Sequence, residues 1–124
     1  MRPTAPLTHD AAVALLRRQV PEFEELYQDL LDIYDEDLTA EIVLMELADF
    51  VADLLVGHER EELLERSLDA VERLVAGSAA TRRLVDESFL PALSPLTVER
   101  IRPTVGPATA ELLDEAIDRG DLRP

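Results

Sequence analysis

The chain contains no cysteine, no lysine and no asparagine, and only two histidines and four glycines among its 124 residues. Without cysteine there can be no disulfide, no thiolate metal site and no thiol nucleophile. His9 and His58 are too far apart for a His-x-x-x-His pair, so that helical zinc spacing is also excluded. No uncharged apolar run approaches the ~18–20 residues that a membrane helix needs. The opening Met1–Pro6 stretch has one arginine but no apolar run behind it long enough for a secretory leader. A cytoplasmic protein without a membrane span is therefore expected. Positive charge is scarce: 27 acidic residues face 12 basic ones, for a formal net charge of −15. Nucleic acid and anionic membranes would both repel such a chain, so neither is expected as a direct partner.

What is present suits one folded domain. A chain of this length can bury roughly two-thirds of its surface. Its 47% hydrophobic content, with a mean hydropathy of −0.03, argues for a packed core rather than disorder. All twelve cations are arginine. A GC-rich genome or a salt-adapted proteome accounts for that composition, but not for where the charges fall.

Apolar residues recur at helical spacing almost throughout, and β-type alternation is rare. A first helix is expected over residues 9–19, capped by Thr8 and burying Ala12, Leu15 and Leu16. Pro21 disfavours helix at Val20 but suits a first helical position, so a second helix should start there. Phe23, Leu26, Tyr27, Leu30, Leu31, Ile33 and Tyr34 trace its inner face. A third helix, about residues 39–56, is apolar around most of its circumference, with Glu46, Asp49 and Asp53 as a narrow polar stripe. That pattern predicts a central helix covered on several sides. A fourth helix, residues 59–76, should bury Leu63, Leu64, Leu68, Val71, Leu74 and Val75 and pair Glu62 with Arg66 and Asp69 with Arg73. Ser78 should cap a fifth, running to Leu93, with Arg82–Asp86 and Arg83–Glu87 as outer pairs. A short turn over residues 97–102 and a last helix over 108–119 complete the pattern. The expected fold is all-α: a compact bundle of about six helices or a short HEAT-like stack. Residues 8–120 would form the domain, with flexible ends at 1–7 and 121–124.

The negative charge is segregated. Between Gln19 and Gly57 lie twelve carboxylates and no arginine, which accounts for −12 of the −15. On the second helix Glu25, Asp29, Asp32 and Glu36 follow one another at intervals of 4, 3 and 4, forming a column opposite the core. Like charges at these spacings cost a few tenths of a kcal/mol per pair. Together with Asp35 and Asp37 in the adjoining loop, they are the candidate partner-binding residues, a surface that would speed the approach of a basic protein. The plainer alternative is a solvated face whose helix-start acids align with the helix dipole.

Other residues carry less. Asp32, Asp35, Glu36 and Asp37 lack the glycine and spacing of an EF-hand, and no metal is expected. Ser88 has no glycine-flanked elbow and is expected to pack rather than react. His9 and His58 suit surface or capping roles, and Tyr27 and Tyr34 suit the core or its rim. No catalytic residue and no cofactor is expected.

The order of segments is similar to that of a family. Pro21-Glu22-Phe23 with Tyr27, then Tyr34-Asp35-Glu36-Asp37-Leu38, then Leu47-Ala48-Asp49-Phe50-Val51 match its first half. Asp86-Glu87-Ser88-Phe89-Leu90-Pro91-Ala92-Leu93 and Arg102-Pro103-Thr104-Val105-Gly106-Pro107 match its second. These motifs resemble an uncharacterised family of small all-helical bacterial domains whose members look like immunity proteins of toxin systems. Thr39-Ala40-Glu41 departs from it, since the family more often has a Pro-His pair there. The resemblance implies no catalytic residues. The expectation is a non-enzymatic protein–protein interaction domain, of immunity or antitoxin type, docking on a basic partner. A helical scaffold or homodimer, with its interface on the third or fifth helix, is the alternative.

Overall fold

In the computed structural model the described residues are 9–57 and 60–122, and among them the fold is all-α, with seven helices and no strand. The helices are α1 (His9–Gln19), α2 (Glu24–Tyr34), α3 (Ala40–Gly57), α4 (Glu61–Gly77), α5 (Ala79–Leu84), α6 (Pro95–Ile101) and α7 (Pro107–Asp118). Thr8, His58 and the end segments 1–7 and 123–124 lie outside the described residues.

Pro21 acts locally as its chemistry dictates. Val20 is pushed out of helical backbone (φ −123°, ψ 75°), and a 3-10 turn over Pro21–Phe23 leads into α2. Phe23 is buried there and meets Phe50 of α3 edge-to-face, with ring centroids 5.5 Å apart. Burial then falls along the inner line of α2: Leu30 is buried, but Tyr34 is 37% exposed and Ile33 is 72% exposed. The periodicity assigned both to the inner face. The helix instead overhangs the core by its last turn, and its close backbone neighbours are the turns that flank it.

Helix α3 packs against α1, α4, α5 and α6 and buries Val43, Leu44, Leu47, Ala48, Val51 and Leu54. It stays open along one stripe, where Met45 is 50% and Val56 76% exposed. Helix α4 buries seven residues, among them Ser67, whose hydroxyl donates back to the Leu63 carbonyl at 2.8 Å and so leaves no orphan. Leu64, expected inside, is half-buried.

The expected fifth helix is broken into three pieces. Ser78 caps α5 as anticipated, accepting the Thr81 N–H at 3.1 Å. After Leu84 the chain widens into a π turn over Val85–Phe89, closed by the Leu90 N–H on the Val85 carbonyl, and then tightens into a 3-10 turn over Leu90–Ala92. Pro91 has no N–H to continue the ladder, so Leu90 is the last donor before it. The expected turn at 97–102 is instead the two-turn helix α6. Ser94 caps it through the Thr97 N–H, and Pro95 occupies its first position.

Helix α7 is capped from a distance. Gly106 precedes Pro107, and the Glu72 carboxylate of α4 accepts the Ala108 N–H (3.0 Å), the Thr109 N–H (2.8 Å) and the Thr109 hydroxyl (2.8 Å). A Cβ at Gly106 would lie 2.4 Å from the Glu72 carboxyl carbon, so the glycine is what admits the cap. Beyond α7, the Asp121 N–H bonds the Ala116 carbonyl and Leu122 is buried. All the buried apolar side chains form one cluster.

Candidate functional site

The acidic stretch divides in two along α2. At its start the carboxylates are spent internally. Arg66 of α4 grips Glu22 with both terminal nitrogens, one of them at 2.9 Å. Arg17 of α1 reaches Glu24 through Nε (2.9 Å) and Nη2 (2.6 Å), and Gln28 adds a third donor at 2.9 Å. The Arg66 hydrogen bonds, helped by a backbone donor, hold the Glu22 carboxyl at about 2, down from 4.5. Arg17, then Gln28, hold Glu24 at about 2. Arg17 also lies over the Tyr27 ring, 4.3 Å from its centroid. His9 sits 3.5 Å from Glu41. The −12 counted along the chain is thus reduced through space, since three of its carboxylates have cationic or imidazole neighbours from other elements.

Farther along, no such neutralisation occurs. Glu25, Asp29 and Asp32 occupy the outward line of α2, all exposed, and none has an ion-pair or hydrogen-bond partner among the described residues. Glu36 does not extend that column on the helix, because α2 stops at Tyr34. Asp35, Glu36 and Asp37 form a 3-10 turn beyond it, again exposed and without side-chain partners among the described residues. The break comes from Asp35, which takes φ 49°, ψ −121° while its N–H still closes the helix on the Leu31 carbonyl. That region is unfavourable for a residue with a Cβ, at a cost of ~1–3 kcal/mol. The helix dipole favours Glu25, in the first turn, but does not explain the acids farther along. Asp32 and the Asp35–Asp37 turn sit at the negative pole, where each carboxylate is disfavoured by ~0.3–1 kcal/mol.

Beside these acids lie the overhanging Ile33 and Tyr34, and behind them a cleft of about 530 Å³ opens between α1, α2 and the start of α3. Val13, Leu31, Leu38 and Val43 wall it, and Asp10, Asp35 and Glu41 also line it. Thr39 starts α3 below it, accepting the Ile42 N–H at 3.3 Å. A second cleft of about 370 Å³ shares His9 and Glu41 and is otherwise lined by Ala80, Arg83, Leu84, Glu87 and Ser88. Ser88, on the π turn, is buried, and its charged neighbours Arg83 and Glu87 pair with each other at 2.9 Å. Among the described residues no group of three or more carboxylates or imidazoles gathers at metal-binding distance, and no helix is long and apolar enough to cross a membrane.

Around α5, α6 and α7 several acids are paired across elements. Arg82 does not meet Asp86; it crosses to Glu115 of α7 (2.5 Å), and Asp86 takes Arg119 (2.7 Å). Both α5 and α7 pack on α4, and the pairs formed between them replace the weaker basic-first pair along one helix. Arg102 meets Asp114, Arg119 also meets Asp121 at 2.8 Å, and the expected Asp69–Arg73 pair forms at 3.2 Å. Glu62 is only 4.0 Å from Arg66, whose hydrogen bonds go to Glu22 instead.

Among known proteins, a family model described as "Domain of unknown function (DUF7674)" matches residues 13–119. Neither the curated proteins nor the solved structures contain a match.

Proposed function

The chain belongs to the DUF7674 family of domains of unknown function, and on that footing we propose that it is a non-enzymatic protein–protein interaction domain that docks on a basic protein, in the manner of an immunity or antitoxin-type inhibitor. One observation carries this reading. Glu25, Asp29, Asp32, Asp35, Glu36 and Asp37 follow one another along α2 and the turn after it, exposed and without a neutralising partner among the described residues, whereas elsewhere unpaired acids such as Asp53, Glu65 and Glu111 are interspersed with arginine-paired ones such as Asp86, Asp114 and Glu115. Self-repulsion works against the whole row and the negative helix pole against Asp32 and the Asp35–Asp37 turn, and a cationic partner surface relieves both. Ile33 and Tyr34 add apolar and aromatic contact next to the charge, the mixture that a docking face needs. The basic nucleic-acid-binding cleft of a toxin has the complementary sign.

The test is capture at low salt followed by stepwise salt elution, comparing the native chain with D29R/D32R. A basic protein that elutes from the native chain as salt rises, and is lost by the folded double variant, supports docking through α2. Equal capture by both removes the reading. A scaffold or homodimer reading draws on the exposed Met45 and Val56 of α3. A salt-insensitive dimer in light scattering, abolished by Met45→Glu, would favour it.

A further inference from the structure

The cleft behind the acidic turn has the composition of an anchor site. Its volume, about 530 Å³, lies within the ~300–1,000 Å³ range of ligand pockets. Its walls are aliphatic and aromatic, from Val13 on α1, Tyr27 and Leu31 on α2, and Leu38 and Val43 where α3 begins. Asp10, Asp35 and Glu41 also line it, and Asp10 and Asp35 are exposed. Of the two basic residues lining it, Arg17 is committed to Glu24 at 2.6 Å and His9 lies 3.5 Å from Glu41. Asp10 and Asp35 therefore keep their charge unmatched among the described residues. The neighbouring cleft is unlike it, because there Arg83 and Glu87 neutralise each other at 2.9 Å.

We infer that this cleft binds one arginine side chain of the basic partner, burying its aliphatic stem between Leu31, Leu38 and Val43, beside the Tyr27 ring that Arg17 already covers, and presenting its guanidinium to Asp10 and Asp35. An arginine divides its surface in the way the cleft does, with an apolar stem and a planar cationic head that carboxylates receive in pairs of hydrogen bonds. Asp35 belongs both to the cleft lining and to the exposed acidic turn, so an anchor there continues the docking face rather than lying apart from it. Buried arginines are among the commonest energetic centres of protein interfaces. The inference rests on the reading of α2 as a docking face for the sign of its partner, and adds the chemistry of the anchor.

The probe is acetyl-arginine N-methylamide, with the citrulline analogue as its neutral isostere, titrated against the full chain while methyl and amide resonances are followed. Saturable shifts confined to Val13, Leu31, Leu38 and Val43, with citrulline at least tenfold weaker, are expected. D10N/D35N should lose at least tenfold in arginine affinity while keeping its native spectrum elsewhere. D29R/D32R should bind the probe within threefold of the native chain. Equal binding of arginine and citrulline, or shifts spread along the outer face of α2 and abolished by D29R/D32R, would overturn the anchor. Such a result leaves the capture experiment free to succeed, whereas loss of capture specificity with intact probe binding would overturn the docking reading alone.

Discussion

On α4, the π turn and α7 four carboxylates meet an arginine or a helix terminus, while Glu61, Glu65, Glu111 and Asp118 have no partner among the described residues: Glu115 takes Arg82, Asp86 takes Arg119, Asp114 takes Arg102 and Glu72 caps α7. Along the outward line of α2 and in the turn after it, six carboxylates follow one another with none of these. The two regions belong to one chain with one composition, so a genome-wide acidic bias applies equally to both and cannot separate them. What separates them is packing. The α4–α7 side is built from elements lying close enough for side chains to cross between them, while α2 overhangs, and its outward line faces only solvent. The start of α2 makes the same point, since Glu22 and Glu24 find Arg66 and Arg17 where the chain still lies against α4 and α1.

The contrast can be broken hardest in the core. Phe89 is fully buried on the π turn, and Phe89→Ala should cost ~3–5 kcal/mol in denaturant unfolding. Ile33→Ala, on the overhang, should cost under about 0.5 kcal/mol. If Ile33→Ala proved as damaging, α2 would be a core element and not an exposed lip. Next comes the distant cap. Glu72→Ala and Gly106→Ala should each cost about 1–2 kcal/mol, the second because its new Cβ displaces the Glu72 carboxylate from the α7 N-terminus. The double variant should fall well short of the sum, and full additivity would show that the two residues act separately.

Smaller still is the effect of relieving repulsion. D29R/D32R should unfold at equal or slightly higher denaturant, by a few tenths of a kcal/mol. The mildest test is titration. Glu22 and Glu24 are held near 2 in the fold, below their ordinary 4.5. Their bridges therefore stabilise fully above about 4.5 and weaken as pH falls toward 2. Both lie at the surface, so the contribution is modest. Carboxyl NMR should return Glu24 toward its ordinary value in Arg17→Gln, and Glu22 in Arg66→Gln.

Local signals were legible. The 3.6-residue period placed α1, α3, α4 and α7 to within about two residues, and the i, i+4 rule found Asp69–Arg73 and Arg83–Glu87. What escaped depends on distance along the chain. Arg66 sits between Glu62, four residues away, and Glu22, forty-four away, and tertiary packing decides for the latter. Glu72 reaches α7 across 36 residues, and nothing near Gly106-Pro107 announces it. The Ser94-Pro95 start of α6 was a local signal, and the prolines around it obscured it. The exposed carboxylates of α2 were legible as a helical column, but not the overhang or the Asp35 break that sets Glu36 off the helix.

The decisive measurement is the association rate of a captured basic protein with the native chain and with D29R/D32R across a salt series. An acidic face that steers its partner predicts a native rate falling steeply with salt, and a slower, nearly flat rate for the charge-reversed chain. Equal rates with equal salt slopes would contradict it, and would mean that the unpaired carboxylates of α2 meet nothing but water.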